Sequence, residues 1–190
     1  MIVVLLGPPG VGKGTQAGVA ADSHGWKHLS TGEMLREEAA SGSELGREVQ
    51  EIMDRGDLVP DALMVEMVAG RLAEIGPDEV LLLDGFPRTE AQAEALAERV
   101  GGSHPLVAVY FTAPESVLTQ RLLGRGRSDD TPEAIRHRLE VYRRSTRPLV
   151  DWFRARGVLH EISADRPVEE IQRDFLHVVQ DALADASRPS

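Results

Sequence analysis

Between an apolar run, Ile2-Val3-Val4-Leu5-Leu6, and a helix expected to open at Lys13 lies the segment Gly7-Pro8-Pro9-Gly10-Val11-Gly12. Glycines at 7, 10 and 12 let the backbone curl until its N–H groups aim at one anion. The helix start adds free amides and the positive end of a dipole, so the segment is built for phosphate. Lys13 supplies a compact point charge for the β- and γ-phosphates of a nucleotide. Its identity is informative, because Lys13 and Lys27 are the only lysines in a chain that otherwise uses arginine. A lysine kept there argues that a planar guanidinium does not serve. Gly14 follows, and the hydroxyl comes at Thr15, one place later than in the general phosphate-loop pattern.

A second candidate is Asp84-Gly85-Phe86-Pro87-Arg88, directly after the apolar run Val80-Leu81-Leu82-Leu83. A carboxylate at that strand end can hold a hydrated Mg²⁺, which takes few carboxylates and keeps its waters. Gly85 permits close approach of a ligand, and Arg88 can fork onto a phosphate. A third is the stretch 121–147, with eight arginines against four acids inside a chain of net charge −10. Arg121 and Arg125 are four apart on one helix, where like charges repel unless an anion lies between them. Arg121, Arg125, Arg127 and Arg138 read as phosphate ligands. Arg143, Arg144 and Arg147 read as a solvated face paired with acids elsewhere.

These side chains need a scaffold, and 190 residues at 42% hydrophobic suffice for one α/β core. Apolar runs at 2–6, 27–29, 80–83, 106–111 and 158–162 read as five strands. Most are continuously apolar, as parallel strands covered on both faces are. Helical segments between them give a doubly wound sheet, whose ligands sit at the carboxyl edge. Residues 30–41, 43–54 and 60–75 read as three helices, the first two forming a small flap over that edge. Capping-box spacing marks helix starts at Ser30, Thr89 and Thr112, and Thr131-Pro132 opens another. The last helix follows Pro167, and 186–190 read as a frayed tail. The acidic balance argues against nucleic-acid binding. The absence of cysteine excludes disulfides and thiolate metal sites and suits a reducing cytosol. The first apolar run is too short for a signal or membrane span.

Taken in order, these segments resemble the adenylate kinases over nearly the whole chain. Gly7 to Gln16 is similar to that family's loop, including the glycine after lysine. Ser30-Thr31-Gly32-Glu33-Met34-Leu35-Arg36, Gly56-Asp57-Leu58-Val59-Pro60, Asp84 to Arg88 and Gln92 resemble its AMP-site motifs. Arg127-Ser128-Asp129-Asp130, followed by Arg138-Leu139-Glu140-Val141-Tyr142, resembles its lid and the helix beyond.

The resemblance implies a P-loop NTPase-type five-stranded parallel sheet with helices on both faces. It implies a core of 1–29, 60–124 and 131–186, an NMP-binding insertion of 30–59, and a very short lid of 125–130. Gly10, Val11, Gly12, Lys13, Gly14 and Thr15 would hold the ATP phosphates, with Ala164 and Arg166 near the ATP adenine. Thr31, Asp57, Leu58 and Val59 (57–59 through backbone), Gly85, Phe86, Pro87 and Gln92 would form the AMP pocket, Gln92 reading the adenine edge. Arg36 and Arg88 would grip the AMP phosphate. Arg121, Arg125, Arg127 and Arg138 would surround the transferring phosphoryl, Arg125 nearer ATP, Arg127 and Arg138 also serving AMP. Thr15 and Asp84 would hold Mg²⁺, largely through water. The chain departs from the family in its short lid, in Glu33 where aspartate is common, and in Asp57. Without cysteines it cannot carry the zinc of some long-lid members.

The implied reaction is reversible transfer of the ATP γ-phosphoryl to AMP, giving two ADP, by a cytoplasmic monomer acting in adenine nucleotide homeostasis. A UMP/CMP kinase on the same scaffold is the nearest alternative, and Thr31 and Gln92 favour adenine over it. A non-catalytic nucleotide-binding switch is another, opposed by the surplus of arginines.

Overall fold

The computed structural model describes residues 1–127 and 130–187. Its sheet has five parallel strands, β1 (Ile2–Leu6), β2 (Lys27–Ser30), β3 (Leu81–Asp84), β4 (Leu106–Thr112) and β5 (Leu159–Ser163), in the order β2-β3-β1-β4-β5. The strand order reverses beside β1, so its carboxyl end faces the crevice where such sheets bind ligands. The register sets Asp84 level with Leu5 on one side and Ser30 on the other.

Alternation along the strands divides the core in two. Val3, Leu5, Leu82, Val107, Val109 and Phe111 face one layer of helices. That layer is α1 (Lys13–His24), α6 (Glu115–Arg125), α7 (Pro132–Val141) and α9 (Val168–Ala186). Ile2, Val4, Leu6, Leu81, Leu83 and Ala108 face the other. It comprises α2 (Thr31–Ala40), α3 (Glu44–Arg55), α4 (Asp61–Leu72), α5 (Glu90–Val100) and α8 (Pro148–Arg154). Burial on both faces explains why the central strands lack polar alternation. β5 differs from the expected apolar run. His160, Glu161 and Ser163 are exposed, as befits an edge strand with one paired neighbour.

Helix starts follow local chemistry. Ser30, Thr89 and Thr131 each accept a hydrogen bond from the amide three residues on, and Pro132 fills the first turn of α7. Thr112 does not cap, contrary to the sequence pattern. It ends β4, and α6 begins after Pro114 with no side-chain cap. Ser43 caps α3, with its hydroxyl 2.7 Å from the Gly46 amide. Residues 142–146 form a π-helical turn between α7 and α8. Of the expected lid, Ser128 and Asp129 lie outside the described residues, as do 188–190 of the expected tail. Within that tail, Ala186 still belongs to α9.

Candidate active site

The loop between β1 and α1 turns through left-handed glycines. Gly10 has φ +82°, and a Cβ there would meet the Leu118 carbonyl at 2.8 Å, so neither the conformation nor the space admits a side chain. Helix α1 opens at Lys13 with no side-chain cap, leaving its first amides for a ligand. The Lys13 ammonium donates to the Gly7 and Pro8 carbonyls at 2.8 and 3.1 Å, closing the loop on itself. Burial lowers its pKa to about 8, against the opposing pull of Asp84. A bound polyphosphate would raise it again.

Gly14 has a reason in this packing. A Cβ there would stand 3.1 Å from the Asp84 carboxylate, which crosses over from the end of β3. Desolvation pushes the half-buried Asp84 carboxyl up. His28 at 3.9 Å, Lys13 and Arg88 outweigh burial and leave it below the usual carboxylate value. Gly85, at φ +88°, is held against Thr31, whose hydroxyl would lie 2.5 Å from an added Cβ. The Thr31 hydroxyl donates to the Asp84 carbonyl at 3.2 Å. The Phe86–Pro87 peptide is cis.

These groups line one cleft of about 730 Å³ at the carboxyl edge of the sheet. The loop and Lys13, Gly14 and Thr15 form one part of its wall, Thr31, Arg36, residues 57–59, Gly85, Pro87 and Gln92 another. Asp84, Arg88, Arg121, Arg125, Arg127 and Arg138 also face it. Three residues of the expected site do not line it. Phe86 is 2% exposed and packs in the core beneath, Ala164 is fully buried, and Arg166 pairs with Asp174.

The arginines are held in two ways. Arg88 donates from Nε to the Gly85 carbonyl at 2.8 Å, and Arg121 reaches the Val11 carbonyl at 3.3 Å. Among the described residues neither they nor Arg36 join an ion pair. Burial and the nearby Arg138 and Arg36 push the Arg88 guanidinium below its ordinary value, with Asp84 opposing. Positive charge is thus concentrated at the cleft, offset in part by the Asp84 carboxylate. Arg125 and Arg138, by contrast, converge on Asp130, whose side chain is only 1% exposed. Arg125 grips it bidentately at 2.8 Å, and Arg138 donates at 3.0 Å. Through Asp130 this clamp ties α6 to α7. Arg143 pairs with Glu115 and Arg147 with Asp151, as expected of the solvated face.

A family model for adenylate kinase matches residues 5–158. The chain belongs to the adenylate kinase family. It is therefore a nucleoside monophosphate kinase of that family, an ATP:AMP phosphotransferase. Curated adenylate kinases resemble it over most of their length. That of Synechococcus sp. strain CC9902 is 48% identical over 179 residues, 93% of this chain and 97% of the relative. That of Thermus thermophilus is 48% identical over 175 residues, 89% and 91% respectively. That of Synechococcus sp. strain WH7803 is 46% identical over 171 residues, 89% and 93%.

Four residues in or bordering this cleft, His28 and Thr146 in its lining and Asp61 and His137 bonded to lining residues, had no functional signal in the sequence. Asp61 reads as an ordinary first-turn acid, yet it accepts from the Gln92 amide and the Thr89 hydroxyl. Thr146 lies in the π-helical turn and donates to the Arg88 carbonyl at 3.0 Å. His28 lies beside Asp84, with a buried Nε2. His137 on α7 meets Asp57 at 2.7 Å. The Asp57 side chain thus joins the connection between α3 and α4 to α7, a contact separate from the backbone role expected of it.

Proposed function

We propose that this cleft performs the adenylate kinase reaction by holding two nucleotides end to end, with phosphates meeting among the arginines. The observation that carries it is one cleft lined both by an anion-binding loop with Lys13 and by Gln92 with Thr31. Gly10 to Thr15 hold the donor triphosphate. Arg36 and Arg88, unpaired among the described residues, take the acceptor phosphate. Arg121, Arg125, Arg127 and Arg138 neutralise the phosphoryl in flight. Ala164 and Arg166 remain our assignment for the surroundings of the donor base, and Phe86 supports the acceptor pocket from below.

An oxygen of the AMP phosphate attacks the γ-phosphorus, and the bond from that phosphorus to the β-phosphate oxygen breaks, leaving two ADP. The nucleophile is already anionic near neutral pH, so no strong base is required. Alignment and charge neutralisation do the rest. Thr15 and Asp84 suit Mg²⁺, which binds through one or two carboxylates, substrate phosphates and retained waters. Among the described residues no group of three His, Cys, Asp or Glu stands together that could hold a metal ion. When bound, the ion supplies charge stabilisation to the phosphates.

We assign residues 30–59 as the acceptor-binding insertion and 125–130 as the lid, on a core of 1–29, 60–124 and 131–186. Closure of the insertion and lid would exclude water and prevent ATP hydrolysis. Our reading of the setting is a monomer in the cytoplasm, maintaining adenine nucleotides. The cysteine-free composition suits a reducing compartment and bears on location alone. No helix among the described residues is long and apolar enough to cross a membrane. Initial rates with AMP, CMP, UMP and GMP as acceptors test the substrate assignment. Strong preference for AMP is expected, and preference for CMP would reject it.

A further inference from the structure

Gln92 is 2% exposed and faces the cleft, and both ends of its amide are engaged. Its Oε1 accepts from the Arg88 backbone N–H at 2.8 Å. Its Nε2 donates to Asp61 Oδ1 at 2.7 Å, while Asp61 Oδ2 accepts from the Thr89 hydroxyl at 3.0 Å. Thr89 in turn caps α5 by accepting from the Gln92 backbone N–H, so Asp61, Thr89 and Gln92 form a closed ring.

A backbone N–H only donates and a carboxylate only accepts. Turning the Gln92 amide over would set N–H against N–H at Arg88 and oxygen against oxygen at Asp61. The side chain therefore has one orientation. An amide offers two donors and two acceptor lone pairs, and this ring uses one of each. What remains is one N–H beside one acceptor, in fixed order.

We propose that Asp61 is a specificity-determining positioning residue. By fixing the Gln92 amide it selects an acceptor base with a ring-nitrogen acceptor beside an exocyclic amine, and rejects one with a ring N–H beside an oxo group. Adenine has the first pattern, hypoxanthine the second. The inference rests on the assignment of Gln92 to the acceptor base. A site that fixes its hydrogen-bonding groups rejects a mismatched partner because polar atoms are left unpaired. Without Asp61 only the Arg88 N–H opposes reversal of the amide.

The test compares kcat/KM for AMP and IMP, with ATP as donor, in wild type and in Asp61→Ala, Asp61→Asn and Gln92→Ala. Asp61→Ala should lower the AMP-to-IMP ratio roughly tenfold, the scale of one hydrogen bond, with the loss for AMP in KM. Asp61→Asn can present either its oxygen or its NH₂ to Gln92, so it should also lower the ratio, by less than Asp61→Ala. If Asp61→Ala does not fold, Asp61→Ser removes the acceptor-only constraint, because a hydroxyl donates as well as accepts. An unchanged ratio in the folded Ala or Ser variant, with both substrates slowed alike, would overturn the inference and leave Asp61 a purely structural link. If Gln92→Ala also left the ratio unchanged, the assignment of Gln92 itself would fall. A ratio lost only in Gln92→Ala would remove Asp61 alone.

Discussion

Arg88 joins three features of the site: it follows the Asp84 carboxylate, its Nε is tethered to the Gly85 carbonyl, and it joins no ion pair among the described residues. Its charge faces the cleft while its backbone is fixed by Gln92 and Thr146. Arginines on transferring phosphoryls are worth about 10³–10⁵ in rate. Arg88→Ala should therefore lower kcat by several orders of magnitude, with an unchanged far-ultraviolet circular dichroism spectrum. Near-normal kcat would remove the role. Arg88, Lys13 and Asp84 were legible in the sequence because each sits in a run whose neighbours have no other explanation. Asp61 and Thr146 were not. An acid in a first helical turn and a buried threonine are common everywhere, and only the fold brings them to Gln92 and Arg88.

Among the elements, the contact between the α3–α4 connection and α7 can be tested by pH. Asp57 Oδ1 lies 2.7 Å from His137, and its Oδ2 accepts from Arg55 at 3.1 Å. These bonds, His137 first, hold the Asp57 carboxyl below its ordinary value of 3.8. A depressed folded-state value means that the contribution to stability is present above the unfolded value and disappears as pH falls below it. Both side chains are 40% exposed, so the contribution is modest and screened by solvent. In urea titrations, wild type should exceed Asp57→Asn in stability at pH 6, and the gap should close as pH drops below 3.8. A gap independent of pH would show that the carboxylate charge is not what links the two elements. The strands and most helix starts could be read from apolar runs and caps. Thr112 misled because its capping spacing coincides with a strand end, where Pro114 starts the helix unaided. The π-helical turn has no signature in residue type, yet such turns recur at functional sites, and here one carries Thr146 to Arg88.

Across the whole molecule, two apolar layers sandwich the sheet and hold its carboxyl edge open to solvent. Phe175 on α9 is fully buried and packs on Phe111 of β4 with ring centroids 5.7 Å apart. Phe175→Ala should cost about 3–5 kcal/mol, read as a lower urea midpoint at unchanged slope. A loss below about 1 kcal/mol would mean that this layer collapses around the gap. The chain as a whole carries −10, while six of its nineteen arginines line the one cleft at the carboxyl edge of the sheet. That separation could be read from the sequence as a local excess in 121–147. The partnering could not: which arginines meet Asp130 and which join no ion pair among the described residues depends on where α6 and α7 place them.

The most direct measurement is a crystal structure with a dinucleoside polyphosphate that joins two adenosines through a phosphate chain. Both adenosines should be ordered, one beyond the glycine loop and one against Gln92, with Arg88, Arg121 and Arg138 turned onto the phosphates between them. A ligand ordered only at the loop, with those three guanidinium groups facing solvent, would contradict a cleft built for two nucleotides.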